Sequence, residues 1–138
     1  MDTLLLSGTA LDGAQWTLHG EDTPRGPGVV LDVRTADGRR CWGTAERCTP
    51  LPPGRGIGGG WGHGDVDEPA TWLIKLRADV RAVVVHLSDG TREDLRVADD
   101  LHRDDVRWAV LAHPRHLDVH RTDVYDTDGQ ALLDTAVA

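Results

Sequence analysis

Three histidines lie within eight residues in the last third of the chain, at His113, His116 and His120. Imidazole nitrogens are preferred zinc ligands, and three of them with an open fourth position would let the metal activate a water molecule. Pro114 favours a turn that leads into a strand, on which His116, Asp118 and His120 share one face, while His113 would have to fold back. The alternative is a polar outer face of an antiparallel strand, which the pattern favours over a zinc site.

A second group of candidate residues lies in a Pro- and Gly-rich loop at about residues 49–69, where Arg55, Trp61 and His63 stand among glycines. Loops of this length inside a compact domain are often functional. We expect a binding loop whose Trp61 stacks on a ligand or docks into a partner, the alternative being that Trp61 folds back to cap the domain. Residues 54–59 match the letters of a dinucleotide fingerprint, but no strand precedes them and no helix follows, so that function is excluded.

Two cysteines and two serines complete the set of possible nucleophiles. Cys41 and Cys48 are seven residues apart, which leaves open two thiols or a disulfide across a hairpin. Ser7 and Ser88 lack the flanking glycines of a nucleophile elbow. Because no catalytic signature is complete, the sequence favours a protein that is not an enzyme.

The elements that position these residues are marked by four Asp-Gly dipeptides, each beside apolar, β-branched residues. Asp-Gly favours two-residue hairpin turns of the primed types, so the chain is predicted to be all-β, with about nine or ten strands. We expect an antiparallel two-sheet sandwich, immunoglobulin-like in style, with a partly closed β-barrel as the second possibility. The predicted strands cover residues 3–6, 14–19, 29–35, 39–43, 72–76, 82–87, 91–97, 106–112, 117–125 and 131–133.

Three local features refine this prediction. Pro24 and Pro27 are expected to prevent regular pairing between residues 20 and 28. The strand at 82–87 is apolar on both faces and is therefore predicted to be central. Val119 and Val124 have opposite parity, which predicts a bulge near residues 121–122.

Composition sets the limits on domain number, partners and location. At 138 residues the chain is predicted to be a single domain spanning 1–138. Its formal net charge of −8 disfavours nucleic acid and weakly favours a basic or neutral protein or small-molecule partner. The sequence as written has neither a signal peptide nor a membrane span, which predicts a cytoplasmic protein; a longer native N-terminus would allow export.

The segments around Ser88-Asp89-Gly90 and 125–129, with Trp16-Thr17-Leu18 near the start, resemble small β-sandwich domains of high-GC Gram-positive bacteria. The resemblance spans most of the chain but rests on turn and core positions. Such domains are largely uncharacterised and often occur in envelope-associated proteins. The resemblance implies the fold and implies no catalytic residues.

Three functions remain in order of preference. The first is a non-catalytic binding or protein-interaction module that uses the Gly-rich loop and one sheet face, without a cofactor. The second is a small zinc-dependent enzyme or metal-binding protein that uses the three histidines. The third is a small-molecule-binding β-barrel or cyclase with tryptophans around an apolar cavity.

Overall fold

A computed structural model describes residues 3–9, 13–49, 51, 57–62, 70–98, 106–113 and 117–132. Every regular element in these ranges is a β-strand, which confirms the all-β prediction. The ten strands are β1 (Thr3–Thr9), β2 (Gln15–Thr23), β3 (Gly26–Arg34), β4 (Arg40–Arg47), β5 (Ile57–Gly62), β6 (Ala70–Arg77), β7 (Val80–Leu87), β8 (Arg92–Leu95), β9 (Val106–His113) and β10 (Val119–Asp126). The described ranges contain no helix long and apolar enough to cross a membrane.

The strands form three antiparallel sheets, one more than the two expected for the predicted sandwich. Sheet A has the order β1-β2-β3-β4, sheet B the order β5-β6-β9 and sheet C the order β10-β7-β8. As predicted, β7 is the central strand of its sheet. One isolated bridge, between Val97 and Ala109, links the end of β8 to β9, but the described strands do not close into a barrel.

Sheet B is the middle layer, because alternate residues of β6 and β9 enter two different apolar clusters. Leu73 and Trp108 pack with Leu18 and Leu31 of sheet A in the first core. The next residues along each strand, Ile74 and Ala109, enter the second core, which includes the inward valines of β7 and β10. A strand that is covered on both faces must be apolar at successive positions, which explains the near-continuous apolar runs in β6 and β9.

Three of the Asp-Gly hairpins are confirmed, but their loops have three residues where two were expected. The amide of Leu87 bonds to the carbonyl of Thr91, and the same pattern recurs from Thr35 to Arg39 and from Asp126 to Gln130. In each loop the glycine takes a positive φ, between 79° and 90°. A three-residue loop places a single residue in the left-handed region, and glycine occupies that position without steric cost.

Residues 20–28 pair regularly, so the expected interruption by two prolines is wrong. The pairing of β2 with β3 runs to Thr23↔Gly26, and Pro24 lies in the turn between them. Pro27 lies within β3, where its carbonyl accepts a hydrogen bond from the amide of Cys48. Pro27 is therefore held through the one backbone hydrogen-bonding group that proline retains.

The Gly-rich segment contains a strand that its composition did not predict. Residues Ile57–Gly62 pair with β6 as the edge strand β5, with a register shift between Ile57 and Gly59. The bulge expected near residues 121–122 is present in β10, between Val119 and Arg121.

Candidate binding face

Sheet A has one face against the first core and an opposite face that carries a groove. We call this cavity the outer groove; its volume is about 510 Å³. It is lined by Leu4, His19, Glu21, Val30, Asp32 and Arg40. These residues alternate with the buried side chains of β2 and β3, such as Leu18 and Leu31, as the pleat of each strand requires.

Leu4 supplies the main apolar contact of the outer groove. It lies on the edge strand β1 opposite His19, and 56 % of its surface is exposed, the one large apolar side chain of the described residues that is exposed to this degree. A single exposed leucine is common on protein surfaces. Its position in a groove beside Val30 makes it a candidate contact for a partner.

Asp32 gives the groove a fixed polar centre. Its Oδ2 accepts a hydrogen bond from Nε of Arg34 at 3.1 Å, and its Oδ1 lies 3.2 Å from Nε of Arg40. Both guanidinium groups are more than half exposed, whereas the Asp32 side chain is only 21 % exposed. Such pairs contribute little to stability, but they hold two donor groups in place over the sheet.

A glycine on the next strand makes the Arg40 geometry possible. Gly43 pairs with Asp32, and a Cβ added at Gly43 would lie 2.5 Å from a guanidinium nitrogen of Arg40 and 2.8 Å from the Leu31 carbonyl oxygen. Any other residue at this position would displace the arginine or the backbone. The missing side chain therefore lets Arg40 lie across β4 towards the carboxylate.

A second groove of about 390 Å³ continues from the first and shares Glu21 with it. Its floor is formed by small residues, because Gly28 and Ala45 lie side by side in sequence-distant strands that pair with each other. A Cβ at Gly28 would come within 2.9 Å of the Glu46 carbonyl oxygen. Together the two grooves follow the outer face from β1 to β4.

The structure brings only some of the predicted site residues into view. Arg55, His63 and His116 lie outside the described residues, and so do the side chains of Trp61 and Cys41. The backbone of Trp61 belongs to β5, opposite Leu73. Cys48 is buried in the first core, and a disulfide with Cys41 stays a prediction.

The two described histidines of the predicted zinc set occupy different environments. His113 is buried, and its Nε2 accepts a hydrogen bond from the indole Nε1 of Trp72 at 3.3 Å, which requires the proton on Nδ1 if the ring is neutral. His120 is exposed on β10. Within the described ranges no three His, Cys, Asp or Glu side chains come together as metal ligands. Since His116 is not described, the zinc site stays a prediction.

Two polar groups were missed by sequence reasoning. Lys75, the only lysine, is 7 % exposed; its Nζ donates to Oγ1 of Thr49 at 2.6 Å and lies 5.8 Å from the Trp108 ring centroid. Burial lowers the pKa of Lys75 from its usual 10.5, while the neighbouring Cys48 and Glu46 oppose the shift. The signal in the sequence was a charged residue at an inward position of an apolar strand.

The second missed group joins β7 to β10 on the outer face of sheet C. Nε2 of His86 lies 2.9 Å from Oδ2 of Asp123, which also accepts a hydrogen bond from Arg121 at 3.1 Å. The hydrogen bond from His86 and the charge of Arg121 lower the pKa of Asp123. His86 stands in an otherwise apolar strand, which was the available signal.

Comparisons of the chain with protein-family models, with curated proteins and with solved structures find no match.

Proposed function

We propose that the protein is a non-catalytic interaction module that binds an extended, basic polypeptide segment on the outer face of sheet A. The observation that carries this proposal is the outer groove, where the exposed Leu4 and Val30 are surrounded by fixed polar groups. A few exposed apolar contacts within a polar rim are typical of protein interfaces.

An extended segment fits because β1 is an uncharged edge strand. Among the described residues β1 has one strand partner, β2, and its sequence from Thr3 to Thr9 contains neither charge nor proline. A partner strand added beside Thr3–Leu6 would satisfy the outer backbone groups and place alternate side chains over Leu4. At the other end of β1, the Arg96 guanidinium donates to the Ser7 carbonyl, so the addition is limited to the first half of the strand.

A basic partner fits the charge of the whole chain. The formal net charge is −8, and this excess of carboxylates attracts cationic segments and speeds their association. The Gly-rich segment with Arg55, Trp61 and His63 remains the proposed second contact. No observation among the described residues favours an internal ligand cavity or a catalytic centre over this proposal.

The test is selection of peptides from a displayed random library against the wild-type protein, followed by affinity measurements on variants. Leu4→Ser is expected to weaken the selected peptides about tenfold, the loss expected when one leucine is no longer buried at the interface. Because Leu4 is already exposed, the variant is expected to melt with the wild type. Gln130→Ser, at an exposed turn outside both grooves, serves as the matched control.

The selected peptides are expected to carry a positive net charge and to bind more weakly as salt is added. Selected peptides that bind Leu4→Ser as tightly as the wild type would place the binding surface elsewhere. A selection without any enrichment would contradict the module itself.

A further inference from the structure

Most of the sheet edges in the described part of the chain are protected. The end of β10 pairs with its own following segment through Tyr125↔Ala131 and the bond from the Leu132 amide to Val124, and β8 meets β9 at the Val97 bridge. Strand β4 carries charged side chains, namely Arg40, Glu46 and Arg47. On β1, Arg96 occupies the Ser7 carbonyl. Pairing, charge and side-chain caps are the usual means by which proteins prevent edge-to-edge association.

The outer edge of β5 has none of these protections among the described residues. Its sequence from Ile57 to Gly62 contains no charge and no proline, and β6 is its one described strand partner. Four of its six residues are glycines, which place no side chain beside the backbone groups of that edge. Strand β5 also ends the middle sheet, whose two faces are covered by the two cores.

We propose that β5 pairs antiparallel with the β5 of a second copy of this chain, joining the two middle sheets into one sheet of six strands. A two-fold axis at the centre of the strand makes the same surface serve both copies. Because β5 is uncharged, its pairing with itself brings no like charges face to face, as the arginines of β4 would.

The order of charges in the sequence supports a second copy as the occupant. Arg55 precedes β5, whereas Asp65, Asp67 and Glu68 follow it. Antiparallel pairing about the centre of β5 directs the basic end of one strand towards the acidic end of the other. The same strand is therefore complementary to itself in charge as well as in backbone hydrogen bonding.

The first experiment uses the wild-type chain and measures its mass by light scattering over a range of concentrations, with amide hydrogen exchange at both extremes. We expect a monomer–dimer equilibrium in which the amides of β5 become more protected as the dimer forms. A chain that stays monomeric throughout would overturn the proposal. A dimer whose β5 amides exchange as fast as those of the monomer would overturn it as well, and would indicate another interface.

The second experiment places a charge at the proposed seam. Gly60→Lys brings two ammonium groups together across the two-fold axis and is expected to weaken dimer formation about tenfold or more. Gln130→Lys adds the same charge at an exposed turn and is expected to dimerise like the wild type. Equal dimer formation by the two folded variants would contradict the seam; if Gly60→Lys does not fold, hydrogen exchange of the wild type decides.

Discussion

At the scale of single residues, Lys75 shows how one polar group is accommodated in a β core. Its stem lies among apolar neighbours in the middle sheet, while its amine reaches the hydroxyl of Thr49 at the exposed end of β4. A long side chain can bury its methylenes and still find a polar partner in this way. The charge itself is disfavoured by burial, which is the cause of its lowered pKa.

Replacing Lys75 by methionine keeps the length of the stem and removes the charge. Because the pKa of Lys75 is lower in the folded than in the unfolded chain, protonation favours unfolding at every pH below the usual 10.5. We therefore expect Lys75→Met to be as stable as the wild type at pH 7, or more stable by about 1 kcal/mol. The advantage should shrink as the pH rises towards 10.5, where the wild-type amine becomes neutral in both states.

The measurement is urea unfolding of both proteins at neutral and at alkaline pH. Lys75→Ala, which also removes the stem, is the control and is expected to lose about 2 kcal/mol through the cavity that it leaves. A methionine variant as unstable as the alanine variant would mean that the contacts of the ammonium group with Thr49 and Trp108 outweigh its desolvation.

At the scale of elements, the three-residue hairpin loops place the strain of each turn on one glycine. Gly90 adopts φ 90°, and a Cβ added there would meet no atom within 4 Å. The cost of a side chain at this position therefore comes from the backbone conformation alone. The same holds for Gly38, with φ 88° and no atom within 4 Å.

Gly90→Ala is expected to lower the free energy of unfolding by about 1–2 kcal/mol, the usual cost of the left-handed region for a residue with a Cβ. Gly90→Asn should lose less, because asparagine tolerates that region. Thermal unfolding of both variants, with Gly38→Ala as the equivalent change in another loop, measures the difference. Equal stability of Gly90→Ala and the wild type would show that the turn can relax to another type.

At the scale of the whole molecule, the middle sheet couples two cores into one folding unit. Leu73 and Leu111 are both fully buried, and they point from neighbouring strands into the first and the second core, respectively. Loss of either core would expose one face of the same sheet. We therefore infer that the cores unfold together.

Leu73→Ala and Leu111→Ala are each expected to cost 2–5 kcal/mol, about the usual range for a buried leucine. Denaturant unfolding followed by both tryptophan fluorescence and circular dichroism should give one coincident transition in each variant. Two separate transitions in Leu111→Ala would show that the second core unfolds independently of the first.

Several features of the fold were predictable from local sequence. Alternating apolar residues and the Asp-Gly signals were sufficient for the all-β class, for the hairpins and for the central position of β7, because turn chemistry and strand periodicity act over a few residues. The exposed Leu4 and the groove around it were not predictable, since a groove depends on which side chains meet across paired strands. Arg40 reaches Asp32 only because Gly43 lies opposite that aspartate.

The sequence by itself therefore determined the strands, most of the turns and the acidic charge of the chain. Tertiary structure decided that the strands divide among three sheets, that a glycine-rich segment becomes the edge strand β5, and that His113 is held in the interior by Trp72. These outcomes depend on contacts between residues far apart in the chain. Local periodicity shows which residues are buried, but only the packed sheets show what each residue is buried against.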